Sequence, residues 1–133
     1  MEIIAEINAH LGNADFLMSL KNDTHLWQAD EPLEIGGTNQ APNPYELFLS
    51  SLSACSAITM RMYANRKEWP LEGVDVNCHL VKDDPASPYR IVRKIHLSGP
   101  LSDEQKNRLI QIADLCPVHK MVSGGTNIQT ASV

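Results

Sequence analysis

The chain has 133 residues, 43% of them hydrophobic and 20% charged, enough apolar material for one core and too little length for two, so a single domain spanning 1–133 is expected. Sixteen acidic against eleven basic side chains give a net charge of -5, the wrong sign for neutralising phosphates, which argues against nucleic acid and anionic membrane surfaces as partners. The longest uncharged run, residues 47–60, has 14 residues with four serines and a threonine, short of the roughly 20 apolar residues of a membrane span.

In chain order, Ile3, Ala5 and Ile7 alternate with Ile4, Glu6 and Asn8, and Phe16, Met18 and Leu20 alternate with Leu17, Ser19 and Lys21. Both follow the two-residue period of a half-buried strand. Residues 11–15 and Asn22-Asp23 carry turn chemistry, and residues 24–29 complete an expected three-strand meander. Gly36-Gly37-Thr38-Asn39 and Pro42 then mark a loop. Asn43 is a good N-cap, Pro44 suits the first helical position, and no Gly or Pro follows until Pro70, so one long helix is predicted to run to about Lys67.

That helix is apolar at nearly every angle, and the exceptions are mostly small: Ser50, Ser51, Ser53 and Ser56. A helix of this kind needs cover on more than one side. A chain this short supplies little of it, so a homodimer with the helix near its centre is expected. Residues 71–81 and 89–97 resume strand alternation, with Val74, Val76 and Cys78 opposite Asp75, Asn77 and His79, around a hairpin loop at 83–88. Ser102 and Gln105 form the signature of a capping box, opening a helix to about Leu115 whose inner face is Leu101, Leu109, Ile112 and Ala113. A short helix from Cys116 to Val122, closed by Gly124-Gly125, and a last strand over 126–133 complete the order βββ, α, ββ, αα, β. This is an α+β protein with antiparallel sheets and a long central helix.

The three cysteines, Cys55, Cys78 and Cys116, are odd in number and widely spaced, which argues against a disulfide framework and for free thiols in a reducing compartment. A sequence without a basic, apolar leader at its start fits the same cytoplasmic expectation. Cys116 stands at a helix start, where free N–H groups and the helix dipole favour a thiolate; the alternative is an inert small side chain at a junction. Cys55, among Ala54, Ala57 and Ile58, and Cys78, beside Val76, each read on position alone as small core residues. Cys116 and His119 make a C-x-x-H pair, but no second pair stands at ligand spacing, so no metal ion and no cofactor are expected.

Gly36-Gly37-Thr38-Asn39, then Pro42-Asn43-Pro44-Tyr45-Glu46-Leu47-Phe48 running to Ala54-Cys55-Ser56, and some sixty residues later Ala113-Asp114-Leu115-Cys116-Pro117-Val118-His119, together resemble the OsmC/Ohr family of osmotically inducible and organic hydroperoxide resistance proteins. The resemblance implies an intertwined homodimer and a thiol peroxidase mechanism. It matches Cys55 to the peroxidatic cysteine and Cys116 to the resolving one, with an external dithiol reducing their disulfide. In the peroxidase branches a glutamate follows the N-P dipeptide and an arginine arrives from the loop before the helix. Here Tyr45 follows Pro44, Glu46 comes one place later, and no arginine precedes Arg61. Cys55, Cys116 and Glu46 are therefore the candidate site residues, with a cation expected from Arg61, Arg66, Lys67 or a partner chain. Cys55 is expected in a dry mid-helix seam and Cys116 at an exposed helix start. Two functions follow: reduction of a small hydrophobic hydroperoxide through the Cys55 and Cys116 pair, or a non-enzymatic module binding a small apolar ligand with structural or redox-sensing cysteines.

Overall fold

The computed structural model describes all 133 residues, which form two compact units, 1–48 and 49–133. In the first, β1 (Asn8–His10), β2 (Met18–Lys21) and β3 (Leu26–Ala29) make an antiparallel sheet in the order β1-β2-β3. Ala9 stands opposite Leu20, and Leu20 opposite Trp27. The expected first strand over residues 3–8 is thus not formed as such: the strand observed begins at Asn8, the one residue they share. Ile3, Ile4 and Ile7 are exposed and lie outside any ladder, because β2 offers β1 just three register partners and alternation alone, without a facing edge, does not make a strand.

The loop between β3 and the long helix is organised by one carboxylate. Asp30 is buried and accepts from the Thr38 hydroxyl at 2.6 Å and from the backbone N–H groups of Glu31, Thr38 and Gln40. These bonds, led by the Thr38 hydroxyl and then the Gln40 N–H, hold its pKa below the ordinary aspartate value. A single 3-10 turn at Leu33–Ile35 interrupts the loop.

Helix α1 (Pro44–Lys67) begins as its sequence predicts. The Asn43 side chain accepts from the Glu46 N–H at 2.8 Å, and the Glu46 carboxylate accepts from the Asn43 N–H at 3.1 Å, a reciprocal capping box. At the other end Glu68 takes a left-handed φ of 57°, and the Trp69 N–H reaches back to the Ala64 carbonyl at 2.9 Å. This six-to-one closure, followed by Pro70, ends the helix.

In the second unit α1 buries one stripe, Leu52, Ser56, Met60 and Ala64, spaced by four residues so that they line one face. The hairpin of β4 (Gly73–Val81) and β5 (Arg90–Ser98) pairs Val74 with Leu97, Val76 with Ile95 and Cys78 with Arg93. Helix α2 (Asp103–Ala113) opens with the expected box of Ser102 and Gln105, and contributes Leu109, Ile112 and Ala113 to the core beside Met60, Ala64, Leu71 and Leu97. Gly99 turns the chain out of β5 at φ 123°, where a Cβ would run into the Pro70 carbonyl. Helix α3 (Pro117–Gly124) follows with Cys116 as its N-cap. Residues 126–133 form no strand, contrary to expectation, since no strand edge pairs with them.

Candidate functional site

Two short sequence features bring Cys116 into position. Helix α2 ends with Asp114 at its C-cap, and Pro117 starts α3 two residues after Leu115. Cys116 therefore sits in extended conformation at a sharp junction, and its Sγ accepts the His119 N–H at 3.2 Å. That contact satisfies one of the open N–H groups at the start of α3. The side chain is completely buried. The expectation of an exposed helix start is thereby corrected: the junction is roofed by a turn of α1 sixty positions away in sequence, where Ser56 Oγ lies 4.0 Å from Cys116 Sγ.

Ser56 is also fully buried, and its hydroxyl donates to the Leu52 carbonyl at 2.7 Å. The same oxygen accepts from Arg93 Nη1 at 3.0 Å. The other terminal nitrogen, Nη2, donates to Asp114 Oδ1 at 2.6 Å, and His119 Nδ1 is 3.9 Å from that carboxylate oxygen. A single guanidinium on β5 thus spans the helix carrying Cys55 and the junction carrying Cys116. Its side chain is 12% exposed, against 65% for Asp114.

Cys55 immediately precedes Ser56, is half-buried, and carries a free thiol, as do Cys78 and Cys116. Cys78 is directly opposite Arg93 in the hairpin register, so the two side chains share a sheet face. Glu46 lies in the first turn of α1, in the capping box with Asn43. The cations expected near Cys55 are engaged elsewhere. Arg61 donates to the Leu71 carbonyl, and Arg66 and Lys67 lie over the Tyr63 ring. Arg93 is the cation bound next to Cys55 in sequence, through the hydroxyl of Ser56. A signal for it existed: along β5 the inward stripe reads Ile91, Arg93, Ile95, Leu97, and a lone charge on an apolar stripe needs a buried partner.

The sequence over residues 37–131 matches the OsmC-like protein family. The chain belongs to that family. No curated protein matches it by sequence. Among solved structures, an OsmC-like protein from Mycoplasma pneumoniae is 23% identical and superposes with a TM-score of 0.78, over 93% of this chain and 90% of that one. An organic hydroperoxide resistance protein from Legionella pneumophila is 22% identical with a TM-score of 0.68, over 92% and 93%. The organic hydroperoxide resistance protein OhrB of Bacillus subtilis is 20% identical with a TM-score of 0.62, over 92% of each chain.

The OsmC-like fold brings Ser56, the residue after Cys55, against Cys116 across sixty positions of sequence. The long helix supplies Cys55 and Ser56, and the α2–α3 junction presents Cys116 to the Ser56 turn. No helix is long and apolar enough to cross a membrane.

Proposed function

We propose that this OsmC-like chain is a thiol-dependent redox protein that reduces small hydrophobic hydroperoxides through Cys55 and Cys116, with a role in oxidative stress. The observation that carries the reading is the approach of Cys116 Sγ to within 4.0 Å of Ser56 Oγ, on the residue next to Cys55. Family membership supports the same chemistry.

In the first step the Cys55 thiolate attacks the terminal oxygen of the hydroperoxide. The O–O bond breaks, the departing alkoxide takes a proton and leaves as an alcohol, and Cys55 is oxidised to a sulfenic acid. The Cys116 thiolate then attacks that sulfur. An S–S bond forms, the S–O bond breaks, and hydroxide leaves as water after protonation. An external dithiol restores both thiols. Free thiols in a chain of this kind fit a cytoplasmic setting. The working unit is a homodimer, because α1 leaves Ile58 at 53% and Met62 at 66% exposure on faces away from its buried stripe.

The test is thiol loss after one equivalent of cumene hydroperoxide. The wild type is expected to lose two thiols, Cys55→Ser to show no fast reaction, and Cys116→Ser to react once and stop at a sulfenic acid trapped by dimedone. Labelling of Cys116 at the wild-type rate in Cys55→Ser would reverse the roles. A second reading, binding of a small apolar ligand without turnover, is favoured by Glu46, whose carboxylate caps α1. Oxidation no faster than that of free cysteine would support it.

A further inference from the structure

We infer that Ser56, gripped by Arg93, is a positioning residue that holds Cys116 as a thiolate for its attack on oxidised Cys55; the assignment of that step rests on the peroxidase reading, and the thiolate itself rests on the geometry. Cys116 is wholly buried, and burial by itself disfavours a charged sulfur. A buried thiolate therefore needs donors aimed at it, and two stand within reach. The His119 N–H already donates to Sγ at 3.2 Å, and the Ser56 hydroxyl lies 4.0 Å away.

The hydroxyl has one proton to give. With Cys116 protonated, that proton goes to the Leu52 carbonyl at 2.7 Å, and the thiol is free to donate to Oγ. When the thiol proton leaves to solvent base, rotation of the hydroxyl swings its own proton onto Sγ. The Leu52 carbonyl is not orphaned by this, because it also accepts the backbone N–H of Ser56, four residues on in the helix. Arg93 Nη1 stays on Oγ in either rotamer at 3.0 Å, so the guanidinium polarises the hydroxyl into a stronger donor.

The other charged and titratable groups around the junction are Asp114 at the end of α2, which fixes Nη2, and the His119 imidazole on α3 beside it. From the hairpin come Arg93 and, opposite it, Cys78, and from α1 the Cys55 thiol adjacent to Ser56. Among them Arg93 is the cation hydrogen-bonded to a neighbour of Cys116.

The experiment is a pH titration of the Cys116 Cβ resonance in full-length protein carrying 13C-labelled cysteine, without peroxide. Ser56→Ala is expected to raise the midpoint by about one pH unit, the scale of one lost hydrogen bond to a charged group. Arg93→Gln is expected to raise it by a similar amount. The double variant should match either single variant, since Arg93 acts through Ser56. After one equivalent of cumene hydroperoxide, the Cys55 sulfenic acid should persist about two- to fivefold longer at pH 7 in Ser56→Ala than in the wild type. An unmoved midpoint in Ser56→Ala, or additive shifts in the double variant, overturns the inference. Should Ser56→Ala not fold, an unmoved midpoint in Arg93→Gln does the same. The titration uses no substrate, so its result stands whether or not the chain consumes peroxide.

Discussion

Leu109→Ala probes whether α2 is seated in the core as described, and with it the platform that carries Asp114 and leads into Cys116. Leu109 is 0% exposed, and its neighbours include Met60, Ala64, Leu97 and Ile112. Truncation removes buried methyl groups from a close-packed site and leaves a cavity that the surroundings refill incompletely, a loss of about 3 to 4 kcal/mol. Against a stability of about 5 to 15 kcal/mol for a domain this leaves the chain folded but much weakened. At roughly 3 to 5 °C per kcal/mol for a chain of this length, Tm should fall by about 9 to 20 °C. The assay is urea unfolding followed by fluorescence of Trp69, which packs against the same cluster, in a Trp27→Phe background. Asn107→Ala, two residues earlier and exposed, is the control and should change stability by less than about 0.5 kcal/mol. A loss for Leu109→Ala under about 1.5 kcal/mol at an unchanged urea dependence would refute the packing assigned to α2, because no fully buried leucine in a filled core is removed so cheaply.

Ser102→Ala should cost about 1 kcal/mol by unmaking the capping box at the start of α2, measured by the same unfolding curves, while Gln105→Glu keeps the box and most of the stability. Asp30→Asn should lower Tm at neutral pH. Asp30 is held below its ordinary value by the Thr38 hydroxyl and the Gln40 N–H, so its contribution is present above the unfolded-state pKa and disappears as pH falls through the lower folded value. The Tm gap between wild type and Asp30→Asn should therefore close in acid; a gap that stays constant with pH would contradict this. The Tyr63 phenol is shifted down, first by the hydrogen bond from Arg108 and then by the charges of Arg108, Lys67 and Arg66, so Arg108→Gln should move its ionisation upward in an absorbance titration at 295 nm.

What the sequence made legible follows from how local each feature is. The start of α1 was written in Asn43-Pro44, its end in Pro70, and the start of α2 in Ser102 and Gln105, all decided within one turn of backbone. The β4–β5 hairpin was readable because each strand faces the other across a short loop. Residues 3–7 and 126–133 have the same alternation or extended character, but strand formation depends on an available partner edge, which no local pattern encodes. The site divides along the same line. Cys116 as an N-cap was local; its burial comes from the Ser56 turn of α1 and was not. In the sequence Ser56 is one small exception among several on an apolar helix, and nothing local marks its hydroxyl as the one that Arg93 holds.

Arg93 carries the argument about why this junction is built as it is. Its ion pair with Asp114 is lopsided, one side chain nearly enclosed and the other largely in solvent, and an ion pair open to water on one side stabilises a fold by no more than about 1 kcal/mol. An apolar residue at position 93 would continue the stripe of Ile91, Ile95 and Leu97 without desolvating a charge. Stability alone therefore does not account for the guanidinium. What an aliphatic side chain cannot do is reach Ser56 Oγ with one nitrogen and Asp114 with another, and a lysine, with one nitrogen, cannot hold both partners in the planar fork that fixes the donor direction. The inferred positioning role gives the guanidinium a purpose that stability does not: Asp114 anchors the cation, the cation holds the Ser56 hydroxyl, and that hydroxyl lies 4.0 Å from the Cys116 sulfur.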